Sequence, residues 1–473
     1  MKWKFLGILA VLGACVSAPT VRHPDIDVEI PSQWSSADDP PIADWWTQLG
    51  DARLDTLVDQ ALRSNFNLQI TAARLTQVEA QARIAGALLQ PSISASGSGA
   101  RRKQSFVGFP IPNSEGQVLS TTTNSYGFNL NSSWELDLWG SLRAGARAAL
   151  ADAQAAKAEL YGAQLSIAAQ TARAYFAVIE AKRQVELAQA TADNYRVSNE
   201  QIGSRYDRGL SSSLELRLGR SNLAAAKATL EQRRQQWDGS KRQLELLLGR
   251  YPSGRIETGD QLPSIASPVP PGLPANLVRR RPDLIAAERR LMAADNRLQE
   301  ARRKLLPRIS LTASTGTTSN ELSNLLNGDF SVWNLLTNLS QPLLQGDRLS
   351  AGVDLAKSGV DASLATYAQS VLLAYAEVEK SLKAAELLSR QEEALETATL
   401  EAQAARTLAE DRYAKGLSDL ITLLDAQRRA FDAESRLLSV RRLRLDARID
   451  IHLALGGDFS STPLSLQPAE NTR

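Results

Sequence analysis

The chain has 473 residues, 43% of them hydrophobic, with 54 basic and 52 acidic residues and a formal charge of +2. This hydrophobic content is normal for a folded protein and excludes a chain that is disordered throughout. The balance of charge excludes the strong positive field that concentrates nucleic acid around a protein, so we expect no nucleic-acid partner.

The first residues have the features of an export signal. Two lysines precede an apolar run over 5–12, which is shorter than the about 20 residues needed to span a bilayer. The segment Leu12-Gly13-Ala14-Cys15 resembles a bacterial lipobox, so we predict a signal peptide over 1–14 and lipidation at Cys15. Val16, and not aspartate, follows it, which is typical of lipoproteins sorted to the outer membrane. Cys15 is the only cysteine, which excludes a disulfide framework.

The next predicted elements are one helix and two strands. A helical pattern runs from Ser64 to Leu89, and small apolar and hydroxyl residues alternate over 92–98. After a loop rich in glycine and proline, a second strand places apolar residues on one face and polar residues on the other, namely Tyr126, Phe128, Leu130, Trp134, Leu136 and Leu138 against Asn129, Asn131, Ser133, Glu135 and Asp137. This alternation is typical of outer-membrane strands and also fits a half-buried soluble sheet.

Two helices and a linker complete the first half. The stretch from Gly140 to Gly203 has no proline and predicts a helix about 95 Å long, far beyond the globular norm. Ser212 to Gly249 predicts a shorter return helix. The proline-rich linker 250–274 cannot be helical. We expect it to form, with the N-terminal segment 15–43, a collar around the middle of the helices.

The chain is written twice. Arg205-Tyr206 with Gly209-Leu210-Ser211 recurs as Arg412-Tyr413 with Gly416-Leu417-Ser418. We therefore predict two repeats, over 44–249 and 275–456, and a mobile tail over 457–473. The second repeat predicts the same order of elements, with helices over 282–306, 349–415 and 418–456 and strands over 309–313 and 330–339.

The number of strands indicates self-association. After the signal no apolar run is long enough for a membrane helix, so any span must be made of strands. Four strands per chain cannot close a barrel, whereas three chains supply about 12. The two short helices of each repeat together match the length of its long helix. We therefore expect a helical wall rather than an isolated rod.

Three segments near the beginning, middle and end resemble one family, the outer-membrane lipoproteins of RND-type efflux systems, an OprM-like group of the TolC superfamily. They are Trp45-Trp46 with Leu49-Gly50-Asp51, then Leu273-Pro274 with Arg279-Arg280-Arg281-Pro282-Asp283-Leu284 and Ala286-Ala287-Glu288, and Arg412-Tyr413 through Leu423-Leu424-Asp425-Ala426-Gln427-Arg428. The resemblance implies a mostly α, tandemly duplicated fold. It also implies a homotrimer with a 12-stranded barrel in the outer membrane, continuous with a long periplasmic α-helical barrel. A periplasmic adaptor and an inner-membrane RND transporter are the implied partners.

The resemblance also implies a gate at the periplasmic end, formed by polar contacts that can be exchanged at modest net cost. At the second hairpin Arg412, Tyr413, Asp425 and Arg428 match the gate positions. Thr422 stands where TolC has a second aspartate, so a cation-binding acidic ring is not expected to be complete. The alternative for Asp425 and Arg428 is an ordinary surface pair at i, i+3.

The corresponding turn of the first hairpin contains Arg205, Tyr206 and Asp207. Gly209 and Gly416 are each predicted to end a long helix as a C-cap, which leaves their turns facing the adaptor. Arg279 to Arg281, which precede Pro282, are expected to be a solvated face rather than a nucleic-acid patch.

No motif indicates catalysis. The two histidines, His23 and His452, stand alone near opposite ends, and neither a metal-ligand cluster nor a nucleotide-binding glycine loop is present in the sequence. We expect a passive channel without cofactor or metal that exports small toxic compounds. The alternatives are a channel for type I protein secretion and a non-conducting coiled-coil lipoprotein.

Overall fold

The computed structural model describes residues 45–107, 118–264 and 280–457. The predictions for Cys15, for the segments 1–43 and 458–473 and for the loop at 108–117 lie outside the described residues. Within the described ranges no helix is both long and apolar enough to cross a membrane.

The first half contains four helices and two strands. They are α1 (Ala52–Ser64), α2 (Phe66–Ala87), β1 (Ser92–Phe106), β2 (Leu119–Leu136), α3 (Ser141–Asp207) and α4 (Ser213–Leu247). The second half contains α5 (Pro282–Arg303), β3 (Arg308–Ser319), β4 (Ser331–Ser340), α6 (Arg348–Ala414) and α7 (Leu420–Ala454). Short 3-10 turns precede α1 and join β3 to β4.

The predicted duplication is confirmed, because corresponding helices have equal lengths. The long helices α3 and α6 each have 67 residues, α4 and α7 each have 35, and α2 and α5 each have 22. The start of α5 lies 216 residues after that of α2, but the start of α6 lies only 207 after that of α3. The strand hairpin of the first half is therefore nine residues longer.

Two predicted boundaries were wrong. The predicted helix 64–89 is divided at Asn65, which ends α1 and whose side-chain oxygen caps α2 by accepting from the amides of Asn67 and Leu68, at 2.9 and 3.3 Å. The predicted strand 92–98 extends to Phe106 because β2 pairs with it along its whole length. The basic residues in its outer part gave no strand signal.

The four strands form one antiparallel sheet in the order β1-β2-β3-β4. The register places Phe128 opposite Gly97 and Thr317, and Trp134 opposite Leu311. The predicted apolar face of β2 therefore continues across the sheet, through Ile93 and Ala95 on β1, Ile309, Leu311 and Ala313 on β3, and Trp333, Leu335 and Leu339 on β4. The opposite face carries mainly serine, threonine and asparagine side chains, and both faces are largely exposed.

The helices form a wall in which the two long helices are covered to different extents. Helix α3 packs against α2 and α4 of its own half and also against α5 and α7 of the other half. Helix α6 packs mainly against α5 and α7, the short helices of its own half. As a result α3 has 22 buried residues and α6 has eight, although their lengths are equal.

The main core lies at the middle of α3. Trp45, Tyr175 and Phe176 are fully buried there together with residues of α1, α4 and α7. The described part of the linker packs at the same level, since the Tyr175 hydroxyl donates to Asp51 at 2.5 Å and accepts from the Gly259 amide at 3.0 Å.

The arginine run before α5 is not a fully solvated face. Arg281 is 7% exposed and donates to the Ala454 carbonyl at 3.0 Å, to Glu377 at 2.7 Å and to Asp283 at 2.8 Å. The expectation was wrong for this residue because the start of α5 lies between the end of α7 and the middle of α6. Arg281 connects three helices at that point.

Candidate functional site

Both helical hairpins turn at the same end of the wall, which we call the tip (residues 202–220 and 409–428). The two long helices end there in the same way. Gly209 and Gly416 have φ of 70° and 73°, a region that glycine enters without strain. The Leu210 amide donates to the Arg205 carbonyl and the Gly209 amide to the Tyr206 carbonyl, both at 2.8 Å.

The second turn repeats this pattern, with Leu417 donating to Arg412 and Gly416 to Tyr413 at 2.8 and 2.9 Å. This is the Schellman arrangement, which satisfies the last carbonyls of a helix and places a leucine just beyond the glycine. The repeated sequence motif is therefore a structural turn, and the positions assigned to Gly209 and Gly416 have the predicted geometry. Whether these turns face an adaptor stays a prediction.

The return helices begin with matching caps. Ser212 accepts from the Glu215 amide at 3.2 Å, and the Glu215 carboxylate accepts from the Ser212 amide at 2.8 Å, which is a capping box. At the equivalent place Asp419 accepts from both the amide and the hydroxyl of Thr422, at 2.8 and 3.0 Å. These hydrogen bonds hold the pKa of Asp419 below its ordinary value. Thr422 thus contacts Asp419 and completes the cap of α7.

Tyr413 and Arg205 form a contact between the two hairpins. The Tyr413 side chain is 3% exposed and packs with Ile202, Leu420 and Leu423. The Arg205 guanidinium carbon lies 5.2 Å from the centre of the Tyr413 ring, within the range of a cation–π interaction. Burial raises the pKa of Tyr413, and the charge of Arg205 opposes that rise. Tyr413 therefore remains a neutral ring for Arg205.

Asp425 and Arg428 are paired on the surface of α7. Asp425 accepts from Arg428 at 2.8 Å and from Arg429 at 2.6 Å. These hydrogen bonds lower the pKa of the Asp425 carboxyl, so it is ionised at neutral pH. Within one chain this is the i, i+3 surface pair that the sequence left as the alternative, extended by Arg429.

The remaining predicted site residues at the tip are exposed. Tyr206 is 41% exposed, and Arg412 and Asp207 are exposed as well. The side chains of Arg412 and Asp207 make no hydrogen bond or ion pair with the described part of the chain. The structure therefore brings together Arg205 with Tyr413 and Asp425 with Arg428, and leaves Arg412, Tyr206 and Asp207 open to a neighbour.

A buried polar group near the tip was missed by the sequence analysis. Gln427 is 0% exposed and donates to Asn194 at 2.7 Å, to Ser198 at 3.1 Å and to Glu410 at 3.1 Å. Asn194 in turn donates to Glu410 at 3.0 Å. These bonds join α3, α6 and α7. The only sequence signal was a polar residue at a position where the helical period of α7 calls for an apolar one.

The described residues show no arrangement of catalytic groups. Among them no group of three or more histidine, cysteine, aspartate or glutamate side chains is placed to hold a metal ion. His452, the one histidine in the described ranges, is 2% exposed and stacks on Trp45 with ring centres 5.0 Å apart. Burial, and then the charge of Arg448, lowers the pKa of His452 to about 3. It is a neutral core residue.

Known relatives share this whole architecture. The pyoverdine export outer membrane protein OpmQ of Pseudomonas putida is 30% identical over 468 residues, which cover 97% of this chain and 98% of that protein. The toluene efflux pump outer membrane protein TtgI of Pseudomonas putida is 31% identical, with 97% and 99% covered. The solved structure of the outer-membrane channel OprN superposes with a TM-score of 0.85 at 28% identity, covering 94% of this chain and 99% of that one.

The family described as outer membrane efflux protein matches residues 57–250 and 273–457. These two matched segments contain the two sets of equal-length helices and the two tip hairpins. The fold, the duplication and the relatives agree, and each covers nearly the whole described chain. The chain belongs to the outer membrane efflux protein family and is an outer-membrane efflux channel of the TolC superfamily.

Proposed function

We propose that this chain is the passive exit duct of a tripartite efflux pump and works as a homotrimer. In this proposal a periplasmic adaptor connects it to an inner-membrane RND transporter, which supplies the energy, and the chain itself performs no catalysis and holds no cofactor. The observation that carries the proposal is that one chain is an incomplete wall, with open edges in both its sheet and its helices.

The sheet supplies the first open edges. Within the described residues β1 pairs only with β2, and β4 pairs only with β3. Unpaired strand edges are not tolerated in a bilayer, and exposed ones invite pairing with another chain. Pairing of β4 with β1 of the next copy removes both edges. Three copies then give a closed barrel of about 12 strands, with the apolar face toward lipid and the hydroxyl-rich face lining the lumen.

The helices supply the second open edge. Helix α3 lies between short helices of both halves, whereas α6 has neighbours from its own half only. The uncovered side of α6 is rich in exposed leucines: Leu355, Leu364, Leu372, Leu373, Leu387, Leu400 and Leu408. We assign this side to α2 and α4 of the next copy, which are the first-half equivalents of α5 and α7. Such a head-to-tail contact closes into a ring.

The tip fits the role of a gate and a docking end. Exposed apolar side chains occupy equivalent positions on both hairpins, with Leu210 matching Leu417 and Leu214 matching Ile421, each at least 65% exposed. A repeated apolar patch on an exposed turn is typical of an interaction surface, and we assign it to the adaptor. Arg412, Tyr413, Asp425 and Arg428 lie just inside it and are assigned to the closed gate. We further assign lipidation to Cys15.

We infer that cargo selection resides mainly in the partner transporter. The two relatives compared above are named for cargoes as different as a siderophore and an aromatic solvent, yet both match this chain along its whole length. A lumen lined by serine, threonine and asparagine offers no dedicated binding site for either class. Small toxic compounds as a class are therefore the proposed cargo.

The test is deletion of the gene in the native host, followed by measurement of tolerance to a panel of solvents, dyes and antibiotics. We expect sensitivity to several unrelated compounds and restoration by the intact gene. Undiminished tolerance in a strain that depends on this pump alone would falsify the proposal. Loss of a secreted protein, with tolerance intact, would instead favour type I secretion.

Reconstitution in planar bilayers tests the remaining alternative, a non-conducting lipoprotein. We expect discrete channels from the purified protein, and none from a preparation unfolded before reconstitution. Mass spectrometry of the same preparation tests the lipid anchor, because Cys15→Ser should abolish the acyl addition.

A further inference from the structure

The two tip hairpins are equivalent in sequence but differ in what their tyrosines contact. Residues of the second hairpin lie 207 positions after their counterparts, so Arg412 matches Arg205 and Tyr413 matches Tyr206. Tyr413 is buried beneath Arg205, whereas Tyr206 is 41% exposed. Arg412 is exposed and has no partner in the described ranges. One copy of a repeated contact is thus made, and both members of the other are unused.

We propose that Arg412 of one copy stacks on the Tyr206 ring of the next copy. The proposal rests on the homotrimer of the proposed function and names the contact between its subunits at the tip. It follows from the backbone, because both long helices have the same length and end in the same glycine turn, with φ of 70° and 73°. If α6 meets the next α4 as α3 meets α7, Arg412 reaches Tyr206 as Arg205 reaches Tyr413.

A second contact supports the same alignment independently. Within the chain Gln427 on α7 donates to Asn194 on α3 at 2.7 Å. The residues at the equivalent positions are Arg220 on α4 and Glu401 on α6. Both are exposed, and neither pairs with another described residue. A neutral amide pair within the chain is therefore replaced, between copies, by side chains of opposite charge.

The two kinds of contact are unequal in apolar packing. In the contact within the chain, Ile202 and Leu420 pack around Tyr413 and are at most 2% exposed. Their counterparts at the contact between copies are Ala409 and Ser213, which are smaller or polar. The contact between copies therefore relies on Arg412 and on charge, and it is the contact that separates when the tip opens.

Cysteine pairs test the contact directly in the full-length protein in native membranes. The variant with Arg412→Cys and Tyr206→Cys in one chain should give covalent dimers and trimers with a short thiol cross-linker on a denaturing gel. The matched control, Arg205→Cys with Tyr413→Cys, should stay at the size of one chain because that contact is internal. The parent chain, with Cys15 alone, measures the background.

The two levels of the proposal fail differently. Native mass measurement on the parent protein reports the number of copies. A trimer in which the 412 and 206 cysteines give only single-chain bands would overturn the contact and leave the proposed assembly intact. A single-chain species would overturn the assembly, and the contact with it.

Conductance gives a second readout that does not depend on cysteines. Arg412→Ala and Tyr206→Ala should each shift the equilibrium toward the conducting state by about 2- to 30-fold, the range for loss of one cation–π contact. The double variant should leak no more than the leakier single variant, and Tyr206→Phe, which keeps the ring, should behave as the parent. Additive effects of the two alanines would show that the side chains act separately.

Discussion

The two long helices have the same length and the same neighbours in sequence, but one is buried and the other is not. Helix α3 has 22 buried residues and α6 has eight. The difference teaches that the two halves of a duplicated chain divide the work. The first long helix forms the core of the folded subunit, and the second presents a surface that only a second copy can cover.

The sharpest test of this comparison uses the same residue at the same position of each half. Leu165 on α3 is 4% exposed, and its counterpart Leu372 on α6 is 47% exposed. Leu165→Ala should lower the free energy of unfolding of the subunit by about 2 to 5 kcal/mol, because it leaves a cavity in the core. Leu372→Ala should change it far less and should weaken the trimer, as measured by native mass spectrometry. Equal losses in subunit unfolding would remove the distinction.

The core should also respond to pH where the exposed helix does not. Burial lowers the pKa of His452 to about 3, against about 6.5 in the unfolded chain. The unfolded state therefore binds the extra proton first, so stability is fully present above pH 6.5 and is lost as the pH falls toward 3, by up to about 1.4 kcal/mol per pH unit. Unfolding curves for the parent and for His452→Phe should diverge in this window. Parallel curves would assign the loss to other groups.

The glycine turns should be more sensitive than other glycines of the same helix. Gly416→Ala forces an L side chain to φ of 73°, which should destabilise the second hairpin locally by about 1 to 2 kcal/mol. Gly203, inside α3 and with open space around it, is the control, and Gly203→Ala should be neutral or stabilising. Hydrogen exchange of the tip amides measures both changes, and equal loss of protection would contradict the turn assignment.

The smallest expected effect on folding is that of Asp425→Ala. The carboxylate is exposed and pairs only along its own helix, so the melting temperature should be unchanged. If Asp425 belongs to the gate, single-channel conductance should rise, and Arg428→Ala should raise it similarly. Unchanged conductance in both variants would make this a surface ion pair without a role in gating.

Much of this could be predicted from the sequence because periodic patterns determine it locally. The duplicated turn motif identified both hairpins, since a helix that ends in the Schellman arrangement requires glycine at one position. The strand faces followed from alternation with a period of two. What was missed depends on contacts distant in sequence. Arg281 is buried because the ends of α7 and the middle of α6 surround it, and Gln427 is buried because α3 supplies its partners.

The nine extra residues in the first strand hairpin indicate where such a chain tolerates change. Adding one residue to a long helix would rotate every later side chain by about 100° and misalign it with both neighbours in the wall. Adding residues to a strand hairpin only lengthens a loop beyond the paired region. An evolving lineage, or an engineer inserting an epitope tag, is therefore free at the strand end of the molecule and constrained to a fixed count along the helices.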